Sequence, residues 1–281
     1  MESFLKFKTI IQKSQVNYTS PWYASKVIRK VTPFVTWILV KTPITANQVT
    51  FSQLFLSLIG LYFLCHKSTL CALFGTILLH IGYLFDCVDG ELARYKNTQS
   101  INGMFLDFVN HEIIIPLIYA CFAFHYYFLT TSIMYFGLGL IILMCKINPI
   151  TKARLTTIRY LIEKRKSPIY DIRNYKITAR TKSNDSPDSF TSNSPIIKLL
   201  RETRRILSDS TEYPNDLIIT SMLIIGELLT NNSIAGRYFL ILFSIFLAAN
   251  FVFSLYSHLK HNVIESDFIN YREAFSEIAE S

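Results

Sequence analysis

Apolar positions along the chain gather into long runs separated by short polar connections. Six runs near the roughly 17 to 25 residues that cross a bilayer core as an α-helix are read at Val49–Cys65, Thr69–Phe85, Gly103–Tyr126, Phe128–Ile147, Asp216–Leu229 and Ile234–Leu259, the fifth being short. Ahead of them, in "PWYASKVIRKVTPFVTWILVKTP", Trp22, Val27, Val31, Phe34, Val35 and Ile38 recur at helical spacing while Lys26, Arg29 and Lys30 face elsewhere. That pattern suits a helix lying in the membrane interface. The fold class expected is all-α: a polytopic membrane protein with six transmembrane helices and an N-terminal interfacial amphipathic helix.

Composition agrees, because 281 residues at 51% hydrophobic and net charge +8 are unusually apolar for soluble domains. Lys and Arg crowd the N-terminal segment, the connection between the second and third runs (Arg94, Lys96) and the long connection after the fourth, whereas "HKS", "HYYFLTT" and "TNNSIAGR" contribute only Lys67 and Arg237. The positive-inside rule then places both termini and the Asp86–His111 stretch on the cytoplasmic face of a multi-pass protein. "MESFLKFKTIIQKSQ" offers no apolar core for a cleavable signal. The five cysteines, Cys65, Cys71, Cys87, Cys121 and Cys145, sit in or beside apolar runs without zinc-type spacing and read as reduced, small hydrophobes.

The chain divides into an N-terminal segment with the interfacial helix (1–48), helices one to four (49–147), a basic cytoplasmic loop, partly helical and partly flexible (148–215), and helices five and six with a tail (216–281). In the loop, "RTKSNDSPDSFTSNSP" has a flexible composition, while "TKARLTTIRYLIEKRK" and "SPIIKLLRETRRILSDS" have helical periodicity with basic faces. Those faces suit solvent, anionic lipid head groups or a phosphorylated substrate. No feature points to nucleic acid. His80, Glu227, Asn250, Ser254 and His258 lie in apolar runs and read as polar contacts between helices, with acceptor recognition the alternative for those on the last two runs.

The stretch "DCVDGELARYKNTQSINGMFLDFVNH" places Asp86, Asp89 and Asp107 where a membrane interior or a packed core should be. A carboxylate there is costly unless it is paired, solvated or bound to a cation. Asp86, Asp89 and Ala93 share one helical face, and Gly103, Asp107 and His111 another. Two such faces packed together gather oxygen ligands of the kind that Mg²⁺ or Mn²⁺ takes together with substrate phosphates. Gly90 and Gly103 leave room for a ligand beside the backbone, and Arg94 adds a forked cation suited to phosphate.

These residues resemble the signature of the CDP-alcohol phosphotransferases: two aspartates three apart, then Gly, Ala-Arg, a spacer of eight, Gly, and two more aspartates at four-residue steps. Asp86, Asp89, Gly90, Ala93, Arg94, Gly103 and Asp107 fill their places with the spacer "YKNTQSIN" intact. "TPITANQVT" is similar to the family's approach to its first helix, with Ala46 where proline is usual and Asn47 and Thr50 at positions near the nucleotide. The resemblance implies a divalent-metal-dependent enzyme in which an acceptor hydroxyl attacks the phosphorus distal to cytidine and CMP leaves. It implies Asp86, Asp89 and Asp107 as metal ligands and Asn47, Thr50, Gly90, Ala93, Arg94 and Gly103 as the CDP pocket.

One position departs: the family's fourth aspartate, a metal ligand thought to take the acceptor's proton, is His111. Three readings follow. His111 is itself the general base, its ordinary pKa of about 6.5 suiting proton transfer, and is also a nitrogen ligand for the metal. Alternatively, the change disables the chemistry and leaves a CDP-alcohol-binding or regulatory protein, or the aspartates line an ion path. Lys146, Lys152 and Arg154 stand where the fourth run exits to the cytoplasm. Turned inward, Lys146 and Arg154 would suit an acceptor carrying phosphate; facing lipid, they leave a neutral or zwitterionic alcohol equally open. Family precedent and the interfacial helix favour CDP-diacylglycerol as donor, and the related enzymes are commonly homodimers.

Overall fold

The computed structural model describes residues 4–15, 22–147 and 213–260. Every regular element among them is helical: α1 (Phe4–Gln15), a π-helical turn (Ala24–Ile28) leading into α2 (Arg29–Val40), α3 (Ala46–Leu64), α4 (Thr69–Tyr95), α5 (Ile101–Thr130), α6 (Ile133–Lys146), α7 (Asn215–Thr230) and α8 (Ile234–Lys260). By length and composition α3, α4, α5 and α8 are able to cross a membrane, and α6 is a shorter apolar helix. The basic loop, with Arg154, and the C-terminal tail lie outside the described residues.

Helices α3 and α4 pack antiparallel along a single stripe. Thr50, Gln53, Ser57 and Gly60 are buried on α3, while Phe51, Phe55, Leu58 and Tyr62 face outward. This is the reverse of a soluble amphipathic helix and suits a lipid surround. The stripe meets α4 in register: Thr50 opposite Asp89, Gln53 opposite Asp86, Ser57 against Gly82, and Gly60 against Gly75. At Gly75 an added Cβ would lie 2.5 Å from both the Gly60 carbonyl oxygen and the Leu64 amide nitrogen, so the backbones touch there.

Two boundaries differ from those read in the sequence. Helix α4 continues past Phe85 through both aspartates to Tyr95, because its carboxylates find partners on neighbouring helices. Helix α5 extends to Thr130 and takes in Phe128, which the run pattern gave to the fourth span. Thr131 stops α5 in the left-handed region (φ 55°) while its amide still donates to Tyr127 O, and α6 starts at Ile133.

Helix α2 turns Thr32 and Thr36 inward, where their hydroxyls donate to the two carboxylate oxygens of buried Glu91 at 2.6 and 2.7 Å. Its opposite face exposes Val31, Phe34 and Ile38, continuing Trp22 and Val27. Helix α1 buries Phe7 and Ile11, with the Phe7 ring 4.8 Å from that of Tyr95 at the end of α4. The main core joins α3 to α8 through Leu64, Leu79, Ile118, Tyr119, Phe122, Tyr126, Ile224 and Leu240. His80 and Glu227 match the reading of polar positions as interhelical ties, whereas His258 bonds within its own helix, from Nδ1 to Ser254 O (2.8 Å). His80 links Tyr23 (2.7 Å) to Ser221 (2.9 Å), and Glu227 accepts from Thr69 (2.7 Å) beside His125 (3.2 Å). All five cysteines are free.

Candidate active site

The site is framed by the turn that joins α4 to α5. Asn97 takes a left-handed conformation (φ 54°), which lets Thr98 N reach back to Ala93 O and Asn97 N to Arg94 O, closing α4. Ser100 then caps α5 by accepting from Gly103 N at 3.0 Å. At the facing end, Thr45 caps α3 through a reciprocal contact with Gln48. Lys96 ties the two ends together, its ammonium donating to Thr42 O (3.0 Å) and Ile44 O (2.8 Å).

Between these ends lies a cavity of about 490 Å³. All of Asn47, Thr50, Gly90, Ala93, Arg94 and Gly103 line it, together with Asp89, Asp107, Ser100 and the polar turn Thr98–Gln99. The N-termini of α3 and α5 both open onto it, an arrangement that favours phosphate through free amides and aligned peptide dipoles. The Arg94 guanidinium folds over Gly90, where an added Cβ would stand 3.2 Å from Nη1, and its buried Nε has no partner. At Gly103 a Cβ would press on Ser100 Oγ (3.2 Å) and Asn47 Oδ1 (3.3 Å).

Of the acidic groups, Asp89 and Asp107 line the cavity, while Asp86 and His111 stand beside it, outside the lining. Ligand atoms of Asp86, Asp107 and His111 all lie within 4.8 Å of one another. His111 Nε2 stands 2.9 Å from Asp86 Oδ1 and 3.7 Å from Asp107 Oδ1. Asp89 falls outside that compact group: it lines the cavity and accepts from the Thr50 hydroxyl at 2.6 Å.

Gln53 and Tyr213 were not singled out in the sequence, and Asn110, which flanks His111 in the chain, serves a different neighbour. Gln53 donates from Nε2 to Asp86 Oδ1 at 2.9 Å. Asn110, fully buried, donates to Thr50 O (3.1 Å) and to Gln53 Oε1 (3.2 Å), although it neighbours His111 on the helix. The Tyr213 ring lies edge-on to His111 (5.7 Å) and to Tyr83 (4.9 Å). Burial, reinforced by the negative charges of Asp86 and Asp216, holds the Tyr213 phenol well above its ordinary pKa and therefore protonated. Lys146 turns inward over the rings of Tyr119 (4.9 Å) and Phe243 (5.8 Å), away from the cavity lining.

No curated protein matches the chain at a significant level. Residues 43–180, which contain the entire motif and every residue lining the cavity, match the family model described as CDP-alcohol phosphatidyltransferase. Over that stretch, just under half of its length, the chain is thus similar to the CDP-alcohol phosphatidyltransferases, whose members transfer phosphate-containing groups.

Proposed function

We propose that the protein is an integral membrane phosphotransferase that moves a phosphatidyl or other phospho-alcohol group from a CDP-alcohol to an acceptor hydroxyl, with release of CMP. The observation that carries this reading is the convergence of Asp86, Asp107 and His111 beside a cavity lined by the rest of the motif.

The donor set fits a hard divalent cation: carboxylate oxygens from two helices meet within one coordination sphere's reach, and a third carboxylate, Asp89, stands on the adjoining wall. Asp86, Asp89 and Asp107 would hold Mg²⁺ or Mn²⁺, which when bound supplies charge stabilisation to the phosphoryl oxygens and the leaving CMP. Arg94 and the amide ends of α3 and α5 bind the pyrophosphate, while Gly90, Ala93 and Gly103 keep its approach open. Asn47 and Thr50 complete the nucleotide side of the pocket.

His111 takes the proton. Its contact with the Asp86 carboxylate places a hydrogen on Nε2, so the neutral ring offers Nδ1 as the acceptor. While Nε2 donates to Asp86 it is not a ligand, and this contact supports His111 as the proton acceptor with the aspartates as the cation's ligands. As the acceptor oxygen bonds to the distal phosphorus, the bond from that phosphorus to CMP breaks and the acceptor's proton passes to Nδ1. The outward apolar face of Trp22, Val27, Val31, Phe34 and Ile38 supports an interfacial N-terminal helix. With α6 and α7 completing six spans, Arg94 and Lys96 favour a cytoplasmic site, and the interfacial helix favours CDP-diacylglycerol as the donor.

Purified protein with Mg²⁺ or Mn²⁺ and CDP-diacylglycerol should release CMP only when one member of a panel of alcohols and alcohol phosphates is present. His111→Ala should slow that release by about 10² or more and leave CDP-alcohol binding within a few-fold. Binding of CDP-alcohol without CMP release for any acceptor would leave a binding or regulatory protein instead.

A further inference from the structure

We infer that Gln53 and Asn110 form an amide relay, anchored in the α3 backbone, that positions Asp86 for cation binding. The inference rests on the metal-holding reading of Asp86 given above and adds two positioning residues to it.

The argument turns on which way each amide faces. An amide offers a donor NH₂ on one side and an acceptor oxygen on the other, and the two ends have nearly the same shape. Asn110 meets the backbone carbonyl of Thr50 at 3.1 Å, and a carbonyl only accepts, so the NH₂ of Asn110 must lie on that side. The same NH₂ reaches Gln53 Oε1 at 3.2 Å, which fixes the Gln53 oxygen toward Asn110 and its Nε2 toward Asp86 Oδ1 at 2.9 Å. Orientation therefore passes from Thr50 O to Asn110, to Gln53, to Asp86, with no free choice along the way.

Asn110 holds this orientation although its own Oδ1 is buried without a partner. Turning the amide over would set two oxygens against each other at Thr50, so the unpaired oxygen accompanies the relay. At the far end, Asp86 Oδ1 receives Gln53 Nε2 and His111 Nε2 together. Two donors on one oxygen lock the carboxylate's rotation and direct Oδ2 away from them. Groups that orient a ligand in this way change metal affinity by about 10- to 100-fold when removed.

The test is Mn²⁺ binding to the purified full chain in detergent, followed by electron paramagnetic resonance of free Mn²⁺, with thermal unfolding recorded alongside. Gln53→Met keeps the volume and removes the donor; it should weaken Mn²⁺ binding about tenfold with little change in unfolding temperature. Asn110→Leu leaves Gln53 its NH₂ but frees it to turn, and should weaken binding about threefold. Because Asn110 acts through Gln53, the double variant should bind no more weakly than Gln53→Met alone. Wild-type affinity in Gln53→Met, or losses that multiply in the double variant, would overturn the relay while leaving the metal site intact. Should Asn110→Leu fail to fold, Gln53→Met decides alone. A wild-type chain that binds no Mn²⁺ removes the metal-holding reading itself, and the relay with it.

Discussion

The hydroxyl of Thr50 on α3 donates to Oδ2 of Asp89 on α4 across 2.6 Å, with both side chains almost wholly buried. A carboxylate withdrawn from water this far keeps its charge only with donors or a cation beside it, so this contact helps to keep Asp89 available on the cavity wall. Thr50→Val preserves the branched shape and deletes the donor. A hydrogen bond to a charged group is worth about 1.5–3 kcal/mol, and about 1.4 kcal/mol corresponds to tenfold. CMP release at limiting CDP-alcohol should therefore fall by about 10- to 100-fold, and Thr50→Ser should recover most of it.

At Gly90 the absent side chain leaves room for the Arg94 guanidinium. Gly90→Ala should push that group aside and raise the CDP-alcohol concentration needed for half-maximal rate, with little loss of stability, since the displaced atoms are the end of a flexible side chain. Steady-state kinetics compared with an unfolding scan would separate the two effects.

Removal of divalent cations should abolish CMP release, and Mn²⁺ or Mg²⁺ should restore it. The informative control is Asp107→Asn. Asp107 is one of three groups whose ligand atoms converge, so this variant should need a higher cation concentration for the same rate.

Gly236 on α8 packs against the hydroxyl end of Tyr126 on α5, and any side chain there would overlap it. Gly236→Ala should cost about 1–3 kcal/mol, read as a lower unfolding temperature. Tyr126→Phe, which removes the nearest atom, should return part of that loss. Because this contact belongs to the core rather than the cavity, CMP release per folded molecule should stay close to wild type.

Much of the cavity lining could be read from the chain because the motif is local. Asp86 through His111 is one continuous stretch, and helical spacing alone predicts which of its residues share a face; Asn47 and Thr50 join them across a single helix packing. The support for Asp86 was hidden because it is distant in sequence: Gln53 lies 33 residues from Asp86, and Asn110 lies 57 from Gln53. A signal was nevertheless present, since Thr50, Gln53 and Ser57 form a polar line at helical steps within an apolar run. In α2, by contrast, Thr32 and Thr36 gave no hint that they would meet Glu91, because hydroxyls satisfy themselves on many partners. The α5–α6 boundary was missed for another reason: a left-handed threonine at residue 131 carries no apolar or charge pattern.

The backbone contact of Gly60 with Gly75 sits about 16 Å along α4 from Asp86, at 1.5 Å of rise per residue. It acts as the pivot of a pair of tongs whose jaws carry Thr50 and Gln53 on one side and Asp89 and Asp86 on the other. Any widening at the pivot is carried to the jaws, so the accuracy of the chemistry is set partly by two hydrogen-sized side chains that never meet a substrate. Drift in this protein's activity should accordingly trace as readily to that distant crossing as to the acidic wall itself.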